Sequence, residues 1–200
     1  MNKDFYNAIA NRRSYYSIGK EKNISEKEVE HIVGEAIKHS PSSFNSQSSR
    51  VVILFNEQHD KLWEIVKLKI KKLIQEDAYE KSVQKIDSCF KSGWGTILYF
   101  EDEKTIQDLQ EQFPLYKDNF PIWSNQSSGM LQYVVWAALE IEGLGASLQH
   151  YNPIIDTAVK KEWSIPDSYK LIAQMPFGKP MAQPDKKEFK PIKQRLKVYK

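Results

Sequence analysis

Ser40-Pro41-Ser42-Ser43-Phe44-Asn45-Ser46-Gln47-Ser48-Ser49-Arg50 joins two segments of opposite character. Before it lies a strongly periodic helical stretch, and after it the apolar run Val51–Phe55. A short segment of hydroxyls and amides in that place is a loop. Its side chains and backbone N–H groups could converge on a flat, polar, anionic ligand. Ser, Asn and Pro are also ordinary loop residues, so the stretch taken alone favours the reading as a solvated linker. A second polar cluster, Asn11-Arg12-Arg13-Ser14, shifts that balance. Two guanidiniums and a hydroxyl at a helix end can clamp a phosphate bidentately, although an isolated Arg-Arg pair is more often solvated surface.

Outward from the loop, Ser25 and Glu28 form a capping box for a helix reaching His39, with Val29, Ile32, Val33, Ala36 and Ile37 on one stripe. Pro41 blocks its continuation. Val51–Phe55 reads as a strand buried in a sheet interior. Asn56 is placed to cap a helix to about Glu76, with Leu62, Ile65, Val66, Leu73 and Ile74 inward. Residues 79–91 read as a weaker helix, Thr96–Phe100 as a second strand, and Asp102 caps a helix to about Phe113. Residues 114–123, rich in proline and aromatics, read as a loop that covers a pocket or packs on a partner. Ser124–Glu142 is a helix apolar over so much of its circumference that it lies centrally or at a dimer interface. Gly143 ends it. Asn152 and Pro153 look like the cap and first residue of a helix closed by Trp163. Leu171–Met175 is a third strand, Pro176–Pro180 a turn, and Arg195–Tyr199 a strand-like edge. Asp4–Arg13 is a short helix, followed by a turn at Gly19. The class is α+β or mixed α/β.

Length and composition set outer bounds. Two hundred residues make one domain of ordinary size, 1–200, with 181–200 as an extended tail. A net charge of +3, with basic density confined to the tail, argues against nucleic acid. The single cysteine, Cys89, excludes an internal disulfide, reads as a small buried apolar residue and suits a reducing compartment. No signal-peptide pattern or membrane-length apolar run is present, so a cytoplasmic protein is expected.

Familiar catalytic motifs are missing. Gly145-Ala146-Ser147-Leu148-Gln149 lacks the last glycine of a nucleophile elbow. Gly143-Leu144-Gly145 ends a helix rather than opening one, as a dinucleotide fingerprint requires. His31, His39, His59 and His150 have no metal spacing. A chain without an acid, base or nucleophile constellation commonly leaves the hard step to a cofactor.

The ordered set Asn11–Ser14, Pro41–Arg50, Gly143–Gly145, Leu148–Pro153 and Gln174–Gly178 resembles the flavin-dependent nitroreductase family. Gln149–Pro153 and Gly93–Thr96 look like its fatty-acid-repression-mutant-like branch. The resemblance implies an α+β homodimer with a central, mostly antiparallel sheet flanked by helices. It implies FMN at the subunit interface and NAD(P)H-driven two-electron reduction of a small-molecule electron acceptor. Arg12, Arg13 and Ser14 would then hold the FMN phosphate and ribityl chain. Ser42, Ser43, Asn45 and Gln47 of the other subunit would face the ring edge. Gln149 and His150 would lie near the ring and donate backbone N–H groups. Lys187 and Lys190 would complete the phosphate clamp, with Arg195 as a rival. Tyr16 stands where many members carry a basic residue, so it can hydrogen-bond but brings no charge. Trp94 and 114–123 could form a lid or simply pack in the core. Two other readings stay open: a non-catalytic flavin-binding module, and a structural dimer whose basic tail binds an acidic partner.

Overall fold

The computed structural model describes residues 4–200. Its centre is β3 (Gly95–Asp102), whose eight residues are all buried. The sequence there, Ile97-Leu98-Tyr99-Phe100, is continuously apolar because both faces are covered. Ile97 and Tyr99 point to one face, with Leu98 and Phe100 to the other, as the two-residue period of a strand requires. On the first face lie α2 (Glu26–His39) and α6 (Phe120–Ile141), which contribute Val29, Val33, Leu131, Val135 and Leu139. On the second lie α3 (Asn56–Ile70), α4 (Glu76–Ile86) and α7 (Asp156–Glu162), with Leu62, Trp63, Val66, Ile86 and Val159.

The sheet order is β1-β5-β3-β2, and a short β4 also pairs with β5. These strands are β1 (Ile18–Gly19), β2 (Ser49–Phe55), β4 (Gly145–Ala146) and β5 (Tyr169–Pro180). Every named pairing is antiparallel. The remaining helices are α1 (Phe5–Asn11) and α5 (Glu103–Gln112). The expected α+β class, with an antiparallel sheet between helices, is what the chain adopts.

Local signals held where one side chain could act alone. Ser25 and Glu28 form the full capping box, and Asp102 caps α5 by accepting from the Lys104 N–H. They failed where a distant partner decided. Asn56 does not cap α3: its amide donates to Glu26 at 2.9 Å. The helix ends at Ile70, leaving Leu73 and Ile74 exposed rather than inward. Residues 76–91 form α4 followed by one π turn, Asp87–Lys91. β2 is a sheet edge in the single chain, and only Leu54 in it is fully buried. Gly19 lies in a short strand rather than a turn.

Part of the 114–123 loop is helix, because α6 starts at Phe120 and carries Pro121 in its first turn, where no N–H is needed. Asn152 caps no helix: α7 starts four residues later, and the Asn152 Oδ1 accepts from Gln174 at 3.2 Å. β5 runs through Pro176–Pro180 because the prolines lose donors but keep acceptors: Pro176 O accepts from the Ser147 N–H. Arg195–Tyr199 forms no strand and is exposed, and beyond Pro180 only Ile192–Gln194 is a helical turn. Cys89 is half-buried beside the second core face. Among the described residues no helix is long and apolar enough to cross a membrane.

His59 is buried against β3. Its Nδ1 lies 2.8 Å from Thr96 Oγ1 and its Nε2 3.2 Å from the Lys91 carbonyl, while Trp63 Nε1 donates to the same Thr96 oxygen. Burial pushes the imidazole down to about 4. A depressed histidine destabilises the fold as pH falls through the unfolded value of about 6.5, and the loss levels off near the folded value. His59 should therefore add a slope of about 1.4 kcal/mol per pH unit to the unfolding free energy between those limits. Urea unfolding of wild type and His59→Gln at several pH values checks this; equal slopes would refute it.

Candidate active site

The Arg12-Arg13-Ser14 segment leaves α1 and is pinned at once. Ser14 bridges Ala146 in parallel fashion, and the Tyr15 N–H donates to the Ala146 carbonyl at 3.0 Å. The chain beyond β5 returns over the same place, where the Met181 N–H donates to the Ser17 carbonyl. Between these two crossings lies a cavity of about 510 Å³. Arg12, Arg13, Ser14, Tyr16, Gln183 and Lys187 are among its walls. Three cationic groups against one carboxylate, Asp185, give it a positively charged lining that suits an anion.

The two arginines differ. Arg13 is partly engaged, donating from Nη2 to the Asp185 carbonyl at 2.6 Å. Arg12 lies over the Trp136 ring at 4.3 Å and the Tyr133 ring at 5.8 Å, so α6 orients its planar fork. Its Nε is buried without a hydrogen-bond partner among the described residues. A buried donor without an acceptor is costly to leave unpaired.

The polar loop forms a second cavity, about 340 Å³, between the end of α2, the start of β2 and α6. Ser42, Asn45, Gln47 and Arg50 face it, with Ser127 and Leu131 behind. The loop is held in an unusual shape. Phe44, Asn45 and Gln47 have φ of 57°, 51° and 48°, the left-handed region that costs a side-chain-bearing residue about 1–2 kcal/mol. The Gln47 N–H donates to Ser42 Oγ at 2.9 Å, and Arg50 Nη1 donates to the Gln47 carbonyl at 2.6 Å. Arg50 is itself fixed by Asp102 at 3.0 Å and the Tyr169 hydroxyl at 3.1 Å. Burial opposes the Asp102 charge, but hydrogen bonds from Ser168 and Thr105 and the Arg50 charge hold its carboxyl below the usual range. Phe44 packs among Phe113, Tyr116, Phe120 and Trp123, so the aromatic 113–123 stretch buttresses the loop.

The expected residues thus fall into groups. Arg12, Arg13, Ser14, Tyr16 and Lys187 share the first cavity; Ser42, Asn45 and Gln47 share the second. Ser43, Gln149, His150, Lys190 and Arg195 line neither. The Gln149 N–H cannot serve a ring as expected, because it already donates to the Gln174 carbonyl at 2.7 Å. Any backbone donation there falls to His150. Trp94 is a core residue at 1% exposure, not a lid. Sequence reasoning gave Arg50 and Glu101 no role, and the structure makes both anchors of the loop.

The Nitroreductase family model matches residues 9–179. The chain belongs to the nitroreductase family. Nitroreductase FRM2 of Saccharomyces cerevisiae is 31% identical over 198 residues, covering 98% of this chain and 97% of its own length. That agrees with the fatty-acid-repression-mutant-like resemblance. Nitroreductase CinD from Lactococcus lactis, solved with nicotinic acid, is 45% identical with a TM-score of 0.91, covering 98% of this chain and all of CinD. A Desulfitobacterium hafniense nitroreductase with bound FMN, 16% identical over the full length of both chains, shares the fold at a TM-score of 0.71. The family's fold is therefore the one described above.

Proposed function

We propose that this family member is an FMN-dependent oxidoreductase that uses NAD(P)H to reduce nitroaromatic or quinone-like acceptors by two-electron, ping-pong transfer. It would work in the cytoplasm as a homodimer, residues 1–200 forming one domain with 181–200 as its tail. The carrying observation is the pair of cavities, one walled by Arg12, Arg13 and Lys187, the other by Ser42, Asn45 and Gln47 together with Lys38 and Arg50. FMN has a dianionic phosphate at one end and a ring edge of alternating donors and acceptors at the other, so its two ends match the two linings. When bound, it would take two electrons from the nicotinamide donor and pass them to the acceptor.

The chain's own residues bind and orient. Arg12, Arg13 and Lys187 neutralise the phosphate, with Lys190 or Arg195 close enough in sequence to assist, and Ser14 and Tyr16 meet the ribityl chain. Ser42, Ser43, Asn45 and Gln47 of the partner subunit hold the ring edge, with Gln149 and His150 nearby. The partner is a second copy of this chain. Met130, Tyr133 and Val134 form a stripe on α6 that stays between 37% and 43% exposed, and Ile37 on α2 beside it is 41% exposed. An apolar stripe of that kind is what an isologous interface covers.

Purified protein should be yellow, should release FMN on denaturation, and should bleach when mixed anaerobically with NADH or NADPH. Colourless protein that takes up no added FMN would refute the reading. Neither cavity contains a histidine or cysteine, which favours one rival, a flavin-binding module without turnover. Yellow protein that neither nucleotide bleaches would select that rival.

A further inference from the structure

Glu101 is 2% exposed near the end of β3. Among the described residues no basic side chain pairs with it: Lys170, opposite it across β5, reaches toward Glu103 instead. Three hydroxyls donate to its carboxylate. Ser48 Oγ lies 2.6 Å and Ser124 Oγ 2.7 Å from Oε2, and Ser49 Oγ lies 2.5 Å from Oε1. Ser48 and Ser49 end the polar loop, whereas Ser124 belongs to α6.

A buried carboxylate without a cation is a poor way to gain stability, since an apolar side chain would fill the place without desolvating a charge. Tyr99, two residues back on the same face of β3, is buried at 1% exposure and shows that this face accepts large, mostly apolar groups. What the carboxylate supplies is direction: two oxygens fix three hydroxyls at once. The next residue repeats the arrangement, since Asp102 holds Arg50, and Arg50 holds the Gln47 carbonyl. The Asp102 N–H also donates to the Ser48 carbonyl at 2.9 Å. The C-terminal end of β3 thereby grips the loop at residues 47, 48 and 49, immediately after its left-handed backbone.

We propose that Glu101 is a positioning residue that holds the 42–47 loop in its ligand-binding shape through Ser48 and Ser49, with Ser124 of α6 satisfying the same carboxylate without holding the loop. This rests on the reading that the loop faces the flavin ring. Glu101 lines neither of the two cavities of the proposed flavin site and would act on them through the serines.

The test uses full-length protein titrated with FMN, with flavin fluorescence and the visible band as readouts and thermal unfolding measured with and without FMN. Glu101→Gln should weaken FMN binding about tenfold and alter the bound-flavin band. Ser48→Ala, a small deletion that leaves the carboxylate in place, should weaken it about fivefold. Ser124→Ala removes a hydroxyl from the same carboxylate but leaves both loop contacts, so its FMN affinity should stay within about twofold of wild type. If Glu101→Gln does not fold, the two serine variants decide. Wild-type affinity and band shape in Glu101→Gln would overturn the proposal, as would equal losses in Ser48→Ala and Ser124→Ala that follow their drops in unfolding temperature. Wild-type protein that binds no FMN would instead overturn the proposed function, so the two failures are distinct.

Discussion

Replacing Arg12 with alanine is expected to weaken FMN binding by about 100-fold, or roughly 3 kcal/mol. The guanidinium is already aligned before any ligand arrives. Trp136 lies against its face at 4.3 Å, so little side-chain freedom remains to be lost on binding. Arg12 is in the wall of the first cavity, so an incoming phosphate would gain a charged hydrogen bond from a side chain already in place. Lysine at this position keeps the charge but loses the fork, and should recover only part of the affinity. Arg13→Ala should be milder, because that side chain is partly occupied by the Asp185 carbonyl. Fluorescence titration of apoprotein with FMN measures all three. Arg12→Ala binding within twofold of wild type would remove the first cavity from the proposed site.

Gly178→Ala should destabilise the fold by about 3 kcal/mol, a large part of a typical domain's total. A Cβ at 178 would lie 2.4 Å from the Gly19 carbonyl oxygen and 3.1 Å from the Trp94 nitrogen. Both are backbone atoms, so no side chain can swing aside. Gly178 also pairs with Gly145 on β4, beside the Ala146 that holds Ser14 and Tyr15. The lesion would therefore reach the arginine cluster. Gly34→Ala on α2 is the matched control: nothing lies within 4 Å of its Cβ, and alanine there should add about 0.5–1 kcal/mol. Urea unfolding separates the two. A Gly178→Ala protein as stable as wild type would mean that β1, β5 and the Gly93–Trp94 turn can part at little cost.

How legible the molecule was depended on how far apart the deciding groups lie. The Ser25 box and the Asp102 cap act over two or three residues and were readable. So was the arginine cluster, because its members are consecutive. Pro121 was read as a loop residue although a helix's first turn tolerates it, and that moved the start of α6 by four residues. Asn152 looked like a cap until Gln174, 22 residues away, claimed its oxygen. Glu101 could not be singled out among 26 acidic residues, since its partners lie 53, 52 and 23 positions away. Folding selects such a residue; local spacing does not mark it.

Phe44, Asn45 and Gln47 hold backbone angles that glycine would adopt freely, yet none of them is glycine. A screen for thermal robustness would be drawn to these three codons first, because glycine at Gln47 could return about 1 kcal/mol of strain. Glycine at Asn45 or Gln47 would remove an amide from the second cavity, and glycine at Phe44 would remove the ring that packs the loop against Phe113, Tyr116, Phe120 and Trp123. Hardier descendants of this chain should therefore tend to be poorer flavin binders, and selection for ligand binding would keep the loop from relaxing.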